Sequence, residues 1–326
     1  MNRFFKTPAK PGQIKIAVLM GGVSRERDIS IESGRCVAEA LKQAGVNVVV
    51  ADVKPDELSV LDDKAIDVFF IALHGTFGED GVLQAILESK GLIYTGSGTQ
   101  ASQLAFDKWA SKKRFAEAGI ATPESILFES GEKSPDIEQR IRKLGEKYVV
   151  KPLCEGSTFG ISIVDNPKSA IETAEKCAQE FGDCMIERFI KGRELTVGVL
   201  AKEALPIIEI RPRAGFYDYH AKYIDDGTEY LFDTIDNPDL TAEIQKTAMD
   251  CFSALGCRGA ARVDLILDDE DRPYVLEINT IPGMTSHSLL PKAAAKAGIP
   301  MSRLCMRMVE QALAEADSRR AEIRGH

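Results

Sequence analysis

Arg262-Val263-Asp264 and Glu277-Ile278-Asn279 flank the polar run Asp268-Asp269-Glu270-Asp271-Arg272-Pro273, which reads as the turn of a hairpin. Side chains alternate faces along a strand. A turn centred between Glu270 and Asp271 therefore sets Asp264 opposite Glu277 and Arg262 opposite Asn279, with all four on one face. Two like charges in direct register destabilise a strand pair unless something positive lies between them. Two carboxylates and an amide form an all-oxygen ligand set suited to a hard cation such as Mg²⁺, which completes its shell with waters and substrate phosphates. The bland alternative is a solvated face with a surface ion pair. The alternation of Val263, Leu265, Leu276 and Ile278 with the polar set favours the metal.

Such a metal calls for a phosphate cradle. No G-x-x-x-x-G-K-[ST] occurs, and no G-x-G-x-x-G follows the first apolar strand, so a P-loop and a dinucleotide fingerprint are excluded. What remains is Glu155-Gly156-Ser157-Thr158-Phe159-Gly160. Its glycines let backbone N–H groups approach an anion, Ser157 and Thr158 add hydroxyl donors, and Lys151 lies just upstream. The 7 cysteines include no Cys-x-x-Cys and the 4 histidines no His-x-x-x-His, which leaves neither a disulfide framework nor a zinc pattern.

The elements that must position these residues fall into three units: an N-terminal parallel α/β unit at 1–96, a central α+β unit at 97–187 and a C-terminal α+β unit at 188–326. In the first, apolar strands at 14–20, 46–53 and 68–73 alternate with a helix near 30–44, the pattern of a parallel sheet with its functional loops at strand C-terminal ends. In the second, a helix at 102–118 precedes strands at 148–151 and 161–164 and a helix at 167–181 closed by Gly182. The third alternates strands at 194–200, 205–210, 259–267 and 274–278 with a helix at 240–255. The polar, aromatic stretch 211–230 is long for a connection and reads as a lid. The polar tail 316–326 is expected to fray. A net charge of −9 disfavours nucleic acid, and no run of about 18 apolar residues exists to span a bilayer, so a cytoplasmic protein is expected.

Taken together, Gly21-Gly22-Val23-Ser24-Arg25-Glu26-Arg27, His74-Gly75-Thr76-Phe77-Gly78-Glu79-Asp80-Gly81, Glu155-Gly156-Ser157, Phe216-Tyr217-Asp218-Tyr219-His220-Ala221-Lys222-Tyr223 and Asn279-Thr280-Ile281-Pro282-Gly283-Met284-Thr285-Ser286-His287-Ser288-Leu289 resemble the ATP-grasp ligases, and among them the D-alanine–D-alanine ligase family. The resemblance implies three α/β or α+β domains with ATP between the central and C-terminal ones. It implies Lys108 and Lys151 on the phosphates, Glu187 near the adenine amino group, Glu194 on the ribose and Lys222 at the γ-phosphate. Asp264, Glu277 and Asn279 would hold two Mg²⁺, with Mn²⁺ as a substitute ion. Glu26 would bind the first ammonium in a set with Ser157 and Tyr223, and His74 would help position that substrate. Ser288 and Leu289 would receive the second carboxylate, while Arg262 and the Gly283 N–H would form the oxyanion site. His220 and the pair Thr158-Phe159 depart from the residues common in relatives.

The implied reaction joins two D-alanine molecules through a D-alanyl phosphate, for peptidoglycan precursor synthesis, in an enzyme expected to be a homodimer. The alternative within the fold is a ligase making D-alanyl-D-lactate or another D-amino-acid dipeptide. The chemistry is coherent with the residues. A carboxylate is a poor electrophile, so a γ-phosphoryl group must first be transferred to it. Amine attack on the acyl phosphate then forms an oxyanion that a guanidinium and a fixed N–H can stabilise.

Overall fold

The computed structural model describes residues 14–129, 131, 136–156, 159–212 and 227–324. β1 (Lys15–Gly21) is buried along most of its length and is the middle strand of a parallel sheet. β2 (Asn47–Val53) and β3 (Val68–Ile71) flank it in the order β2-β1-β3. The continuous apolar runs of β1 and β3 suit a parallel sheet covered on both faces. α1 (Arg27–Gln43) is the crossover between β1 and β2 and starts before the expected position 30. α2 (Val82–Ser89) follows the His74 to Gly81 loop.

The single helix expected at 102–118 is two. α3 (Thr99–Phe106) stops at Asp107, whose extended backbone (φ −86, ψ 104) breaks the run before α4 (Lys108–Glu117). The Asp107 carboxylate accepts hydrogen bonds from the N–H groups of Trp109 at 2.9 Å and Ala110 at 3.0 Å, so it caps the new helix. This break makes Lys108 the first residue of α4.

A second sheet, antiparallel throughout, runs β4-β7-β5-β6 and is built from β4 (Ser125–Phe128), β5 (Tyr148–Pro152), β6 (Ser162–Val164) and β7 (Cys184–Arg188). α5 (Ile137–Leu144) and α6 (Pro167–Phe181) share a buried core with it. The bounds of α6 follow its local signals: Asn166 accepts from the Ser169 N–H at 2.8 Å, Pro167 opens the helix, and Gly182 closes it at φ 82.

The third sheet centres on β8 (Gly192–Leu200), with β9 (Glu203–Ala204) paired to it off the main path. β10 (Ile208–Arg211), β11 (Glu229–Leu231), β12 (Ala260–Asp268) and β13 (Pro273–Asn279) complete the order β11-β10-β8-β12-β13. α7 (Pro238–Ala254) packs its buried residues Ile244, Ala248 and Phe252 against Val197 and Val263. α8 (Leu289–Lys296) and α9 (Met301–Arg324) then return to the first unit. One core holds Ile16, Val18 and Leu41 together with Leu200, Ile208, Leu290, Leu304 and Val309, which joins the first and third units.

The expected fraying of 316–326 is overturned as far as Arg324, because α9 continues to that residue. Its chain there is rich in Ala and Arg, both strong helix formers. Glu315 is also tied to Arg258 at 2.9 Å, which anchors the helix just ahead of this segment.

Candidate active site

The β12–β13 hairpin has the register that the carboxylate pattern requires: Arg262 faces Asn279, Val263 faces Ile278, and Asp264 faces Glu277. Nearer the turn, Leu265 faces Val275, so Leu276 is an extra residue on β13. This bulge is what brings the two carboxylates into register. Continuing the register of the turn end would put Leu276 opposite Asp264 and send Glu277 to the other face. Leu276 was expected to alternate with the polar set alongside Val263, Leu265 and Ile278; instead it lines the same cavity as Glu277.

The charge conflict between Asp264 and Glu277 is met by two cations. Arg262 forks onto Asp264 with Nε to Oδ1 at 2.9 Å and Nη2 to Oδ2 at 2.8 Å, and the Thr196 hydroxyl donates to Oδ1 at 2.6 Å. Lys108 Nζ lies 3.1 Å from Glu277 Oε2 and donates to the Glu155 carbonyl at 2.6 Å. Burial pushes the Lys108 ammonium down, but the Glu277 charge outweighs it and leaves its pKa above the ordinary value. Asn279 Oδ1 accepts from the Ile281 N–H at 3.0 Å. Two carboxylates and an amide on one hairpin face fit a hard divalent ion by donor chemistry. The ion would replace Arg262 and Lys108 as partner of part of this oxygen set.

Two cavities meet at these residues. The smaller, about 100 Å³, is lined by Glu26, His74, Arg262, Asn279, Gly283, Ser288 and Leu289 among others. The larger, about 540 Å³, lies between the second and third sheets and is lined by Lys151, Glu187, Glu194, Asp264 and their neighbours. Its size falls in the range of about 300–1,000 Å³ usual for organic ligands. Lys108, Glu155 and Glu277 line both cavities, so a group held in one can reach a group held in the other there.

In the smaller cavity, Glu26 comes from the loop after β1 and is buried although it is charged. A Cβ on Gly156 would lie 2.6 Å from Glu26 Oε2, so this glycine permits the first unit's carboxylate to rest on the second unit's turn. His74 Nε2 and the Ser33 hydroxyl are 3.0 Å apart, and Ser33 accepts from the Met284 N–H at 3.2 Å. His74 Nδ1 lies 3.4 Å from Glu79 Oε1. Burial pushes the imidazole down, but Glu79 and Glu26 raise it above its ordinary value. Gly283 packs closely against Ser288, since a Cβ at this position would lie only 2.6 Å from Ser288 Oγ. Ser288 stands just before α8 and accepts from the Thr285 N–H at 3.0 Å.

In the larger cavity, Glu187 is buried between two lysines: Lys151 Nζ to Oε1 at 2.8 Å and Lys112 Nζ to Oε2 at 2.5 Å. Burial alone would push the Glu187 pKa up, and the two ammonium groups bring it below the ordinary value. Burial drives Lys112 down to about 8 against the pull of Glu187. Lys112, Glu79 and Glu209 were not singled out from sequence as site residues. Ser157, Lys222 and Tyr223 lie outside the described residues, as does most of the expected lid at 211–230.

Glu209 lines the larger cavity and is held by Arg193 and Arg211, the latter with Nε 2.5 Å from Oε1. Burial pushes its carboxyl up, but the guanidinium hydrogen bonds win and bring it from 4.5 to about 2. The folded pKa is thus depressed, so these pairs stabilise fully above pH 4.5 and lose that contribution as pH falls toward 2. Glu209→Gln should be less stable than the parent by up to about 3 kcal/mol near neutral pH, with the gap narrowing in acid. Denaturant melts from about pH 6 down to about pH 3 check this. A gap that stays constant over that range contradicts it.

Comparison with known proteins bears on the whole arrangement. The family description "D-ala D-ala ligase C-terminus" matches residues 115–310, and "D-ala D-ala ligase N-terminus" matches residues 56–97. The D-alanine–D-alanine ligase of Syntrophotalea carbinolica is 44% identical over 312 residues, covering 94% of this chain and 98% of its own. That of Actinobacillus pleuropneumoniae serotype 5b is 42% identical over 296 residues, covering 91% and 97%. Among solved structures, the D-alanine–D-alanine ligase of Bacillus anthracis complexed with ATP superposes with a TM-score of 0.80 at 36% identity, covering 94% of this chain and 99% of its own. The VanG D-Ala:D-Ser ligase of Enterococcus faecalis gives 0.79 at 27% identity, covering 92% and 99%. With matches of this length and identity around a hairpin, a glycine turn and a paired cavity of the expected kinds, the chain belongs to the D-alanine–D-alanine ligase family.

Proposed function

We propose that the two cavities form one active site in which ATP in the larger and D-alanine in the smaller meet at Lys108, Glu155 and Glu277. The sharing of these three residues is the observation that carries the reading. The reaction is the ATP-dependent ligation of two D-alanine molecules. A carboxylate oxygen of the first D-alanine takes the γ-phosphoryl group, ADP leaves, and the amine of the second attacks the acyl carbon with loss of phosphate.

Each described residue has a task that its surroundings support. Glu26 binds the first ammonium, and His74, braced by Ser33 and Glu79, positions that substrate. Lys108 and Lys151 take the phosphates, Glu187 accepts from the adenine amino group, and Glu194 accepts from the ribose. Ser288 and Leu289 receive the second carboxylate at the start of α8, where free N–H groups favour an anion. Arg262 and the Gly283 N–H face the same small cavity and stabilise the oxyanion. Asp264, Glu277 and Asn279 would hold Mg²⁺, with Mn²⁺ as a substitute, and the ion would supply charge neutralisation at the phosphates. Ser157, Tyr223 and Lys222 enter this reading on the family resemblance alone. So do a cytoplasmic location, a homodimer and a role in peptidoglycan precursor synthesis. No helix among the described residues is long and apolar enough to cross a membrane.

Gly156→Ala is expected to raise the KM for D-alanine on the order of tenfold while changing the KM for ATP little, since the methyl would displace Glu26 from the turn. Steady-state kinetics separates the two, and an effect confined to ATP contradicts this placement of Glu26. The function itself is tested by phosphate release from ATP with D-alanine, L-alanine and D-lactate, supplied singly and together. Release should depend on D-alanine and match D-alanyl-D-alanine formed one for one. Release driven by L-alanine alone, or a D-lactate ester as the main product, overturns it.

A further inference from the structure

Lys112 is a buried cation that the reaction leaves without a task. Its ammonium donates to the Thr122 hydroxyl at 2.8 Å, the Pro123 carbonyl at 2.6 Å and Glu187 Oε2 at 2.5 Å. An ammonium has three hydrogens, so this group is fully engaged and fixed. It is absent from the lining of the larger cavity, where Pro123, Lys151 and Glu187 all appear, and so it holds Glu187 from behind. Lys151 differs: it lines the cavity and is tied to Glu187 through Oε1.

We propose that Lys112 is a positioning residue that keeps Glu187 charged and oriented when Lys151 leaves it for the nucleotide's phosphates, and thereby sets the preference for a base carrying an exocyclic amino group. This deepens the reading of the larger cavity as the ATP site and rests on it. Arrival of a triphosphate draws Lys151 away and vacates Oε1, which then accepts from the base amino group. Among the described residues, Lys112 is then the cation left to balance the carboxylate. Without Lys112, a carboxylate that is 2% exposed has no counter-ion at that moment and takes up a proton. A carboxylic acid can donate as well as accept, so it no longer favours an amino group over a carbonyl.

The test is kcat/KM for ATP and for inosine triphosphate, whose base has a carbonyl in place of the amino group, in the parent and in Lys112→Met, Lys112→Gln and Glu187→Gln. Both Lys112 variants should lower the ATP to inosine triphosphate ratio on the order of tenfold or more, with the change falling on the KM for ATP more than on kcat. Lys112→Gln keeps donors for Thr122 and Pro123 without the charge, so it carries the test if Lys112→Met does not fold. Equal weakening of both nucleotides, with the ratio unchanged, would mean that Lys112 serves the fold alone and would overturn the proposal. If Glu187→Gln lowers the ratio but neither Lys112 variant does, the base reading stands and the role of Lys112 falls. If Glu187→Gln leaves the ratio unchanged, the assignment of Glu187 to the base has failed, and the proposal with it.

Discussion

Glu277→Gln is expected to lower turnover on the order of 10³-fold with the fold retained. Glu277 faces Asp264 across the hairpin, pairs with Lys108 and lines both cavities, so its charge sits where phosphoryl transfer is proposed to take place. Loss of one preorganised charge or donor at such a point costs about 10²–10³-fold, and here the same change also removes the charge of an oxygen proposed to hold the metal and the partner of a buried lysine. Gln keeps the side chain's shape, so far-ultraviolet circular dichroism should be unchanged. Phosphate release at saturating ATP and D-alanine checks the loss. Turnover near the parent's at modest Mg²⁺ would remove Glu277 from the reacting centre.

Arg262→Ala should lower kcat by about 10²–10³-fold and leave the KM for ATP within a few fold if, as proposed, its charge acts on an oxyanion that develops only in the second step. The geometry adds a refinement. Arg262 also forks onto Asp264, so its removal frees that carboxylate as well as the oxyanion site. Arg262→Lys keeps the charge but not the planar fork, and should recover only part of the rate. A change confined to the KM for ATP would instead place Arg262 on the nucleotide.

The parts legible in the sequence were those fixed by short-range rules. The pairing of Asp264 with Glu277 and of Arg262 with Asn279 is the one expected from strand alternation about a turn centred between Glu270 and Asp271, although the chain reaches it through the bulge at Leu276. The bounds of α6 follow from Asn166, Pro167 and Gly182. The parts not legible depend on contacts distant in the chain or on a single residue's backbone. Asp107 splits an otherwise continuous helical run, although Asp is a good capping residue and that signal was available. The Leu276 bulge leaves no mark in the hydrophobic pattern, because bulged and unbulged strands carry the same residues. Lys112 looks like an ordinary helix lysine until β7 brings Glu187 against it from 75 residues away. Continuation of α9 past position 316 depends in the same way on Arg258, which meets Glu315 only in the folded chain.

On the proposed reading, a D-alanine carboxylate is phosphorylated by ATP and then attacked by a second amine in the place where the two cavities meet. Atom balance gives a direct test. If a carboxylate oxygen attacks the γ-phosphorus and the amine later displaces phosphate at carbon, that oxygen leaves with the phosphate. D-alanine labelled with ¹⁸O in its carboxylate should therefore yield inorganic phosphate carrying one labelled oxygen for each D-alanyl-D-alanine formed, read by mass spectrometry. Phosphate free of label, with dipeptide formed at the normal rate, would contradict an acyl phosphate.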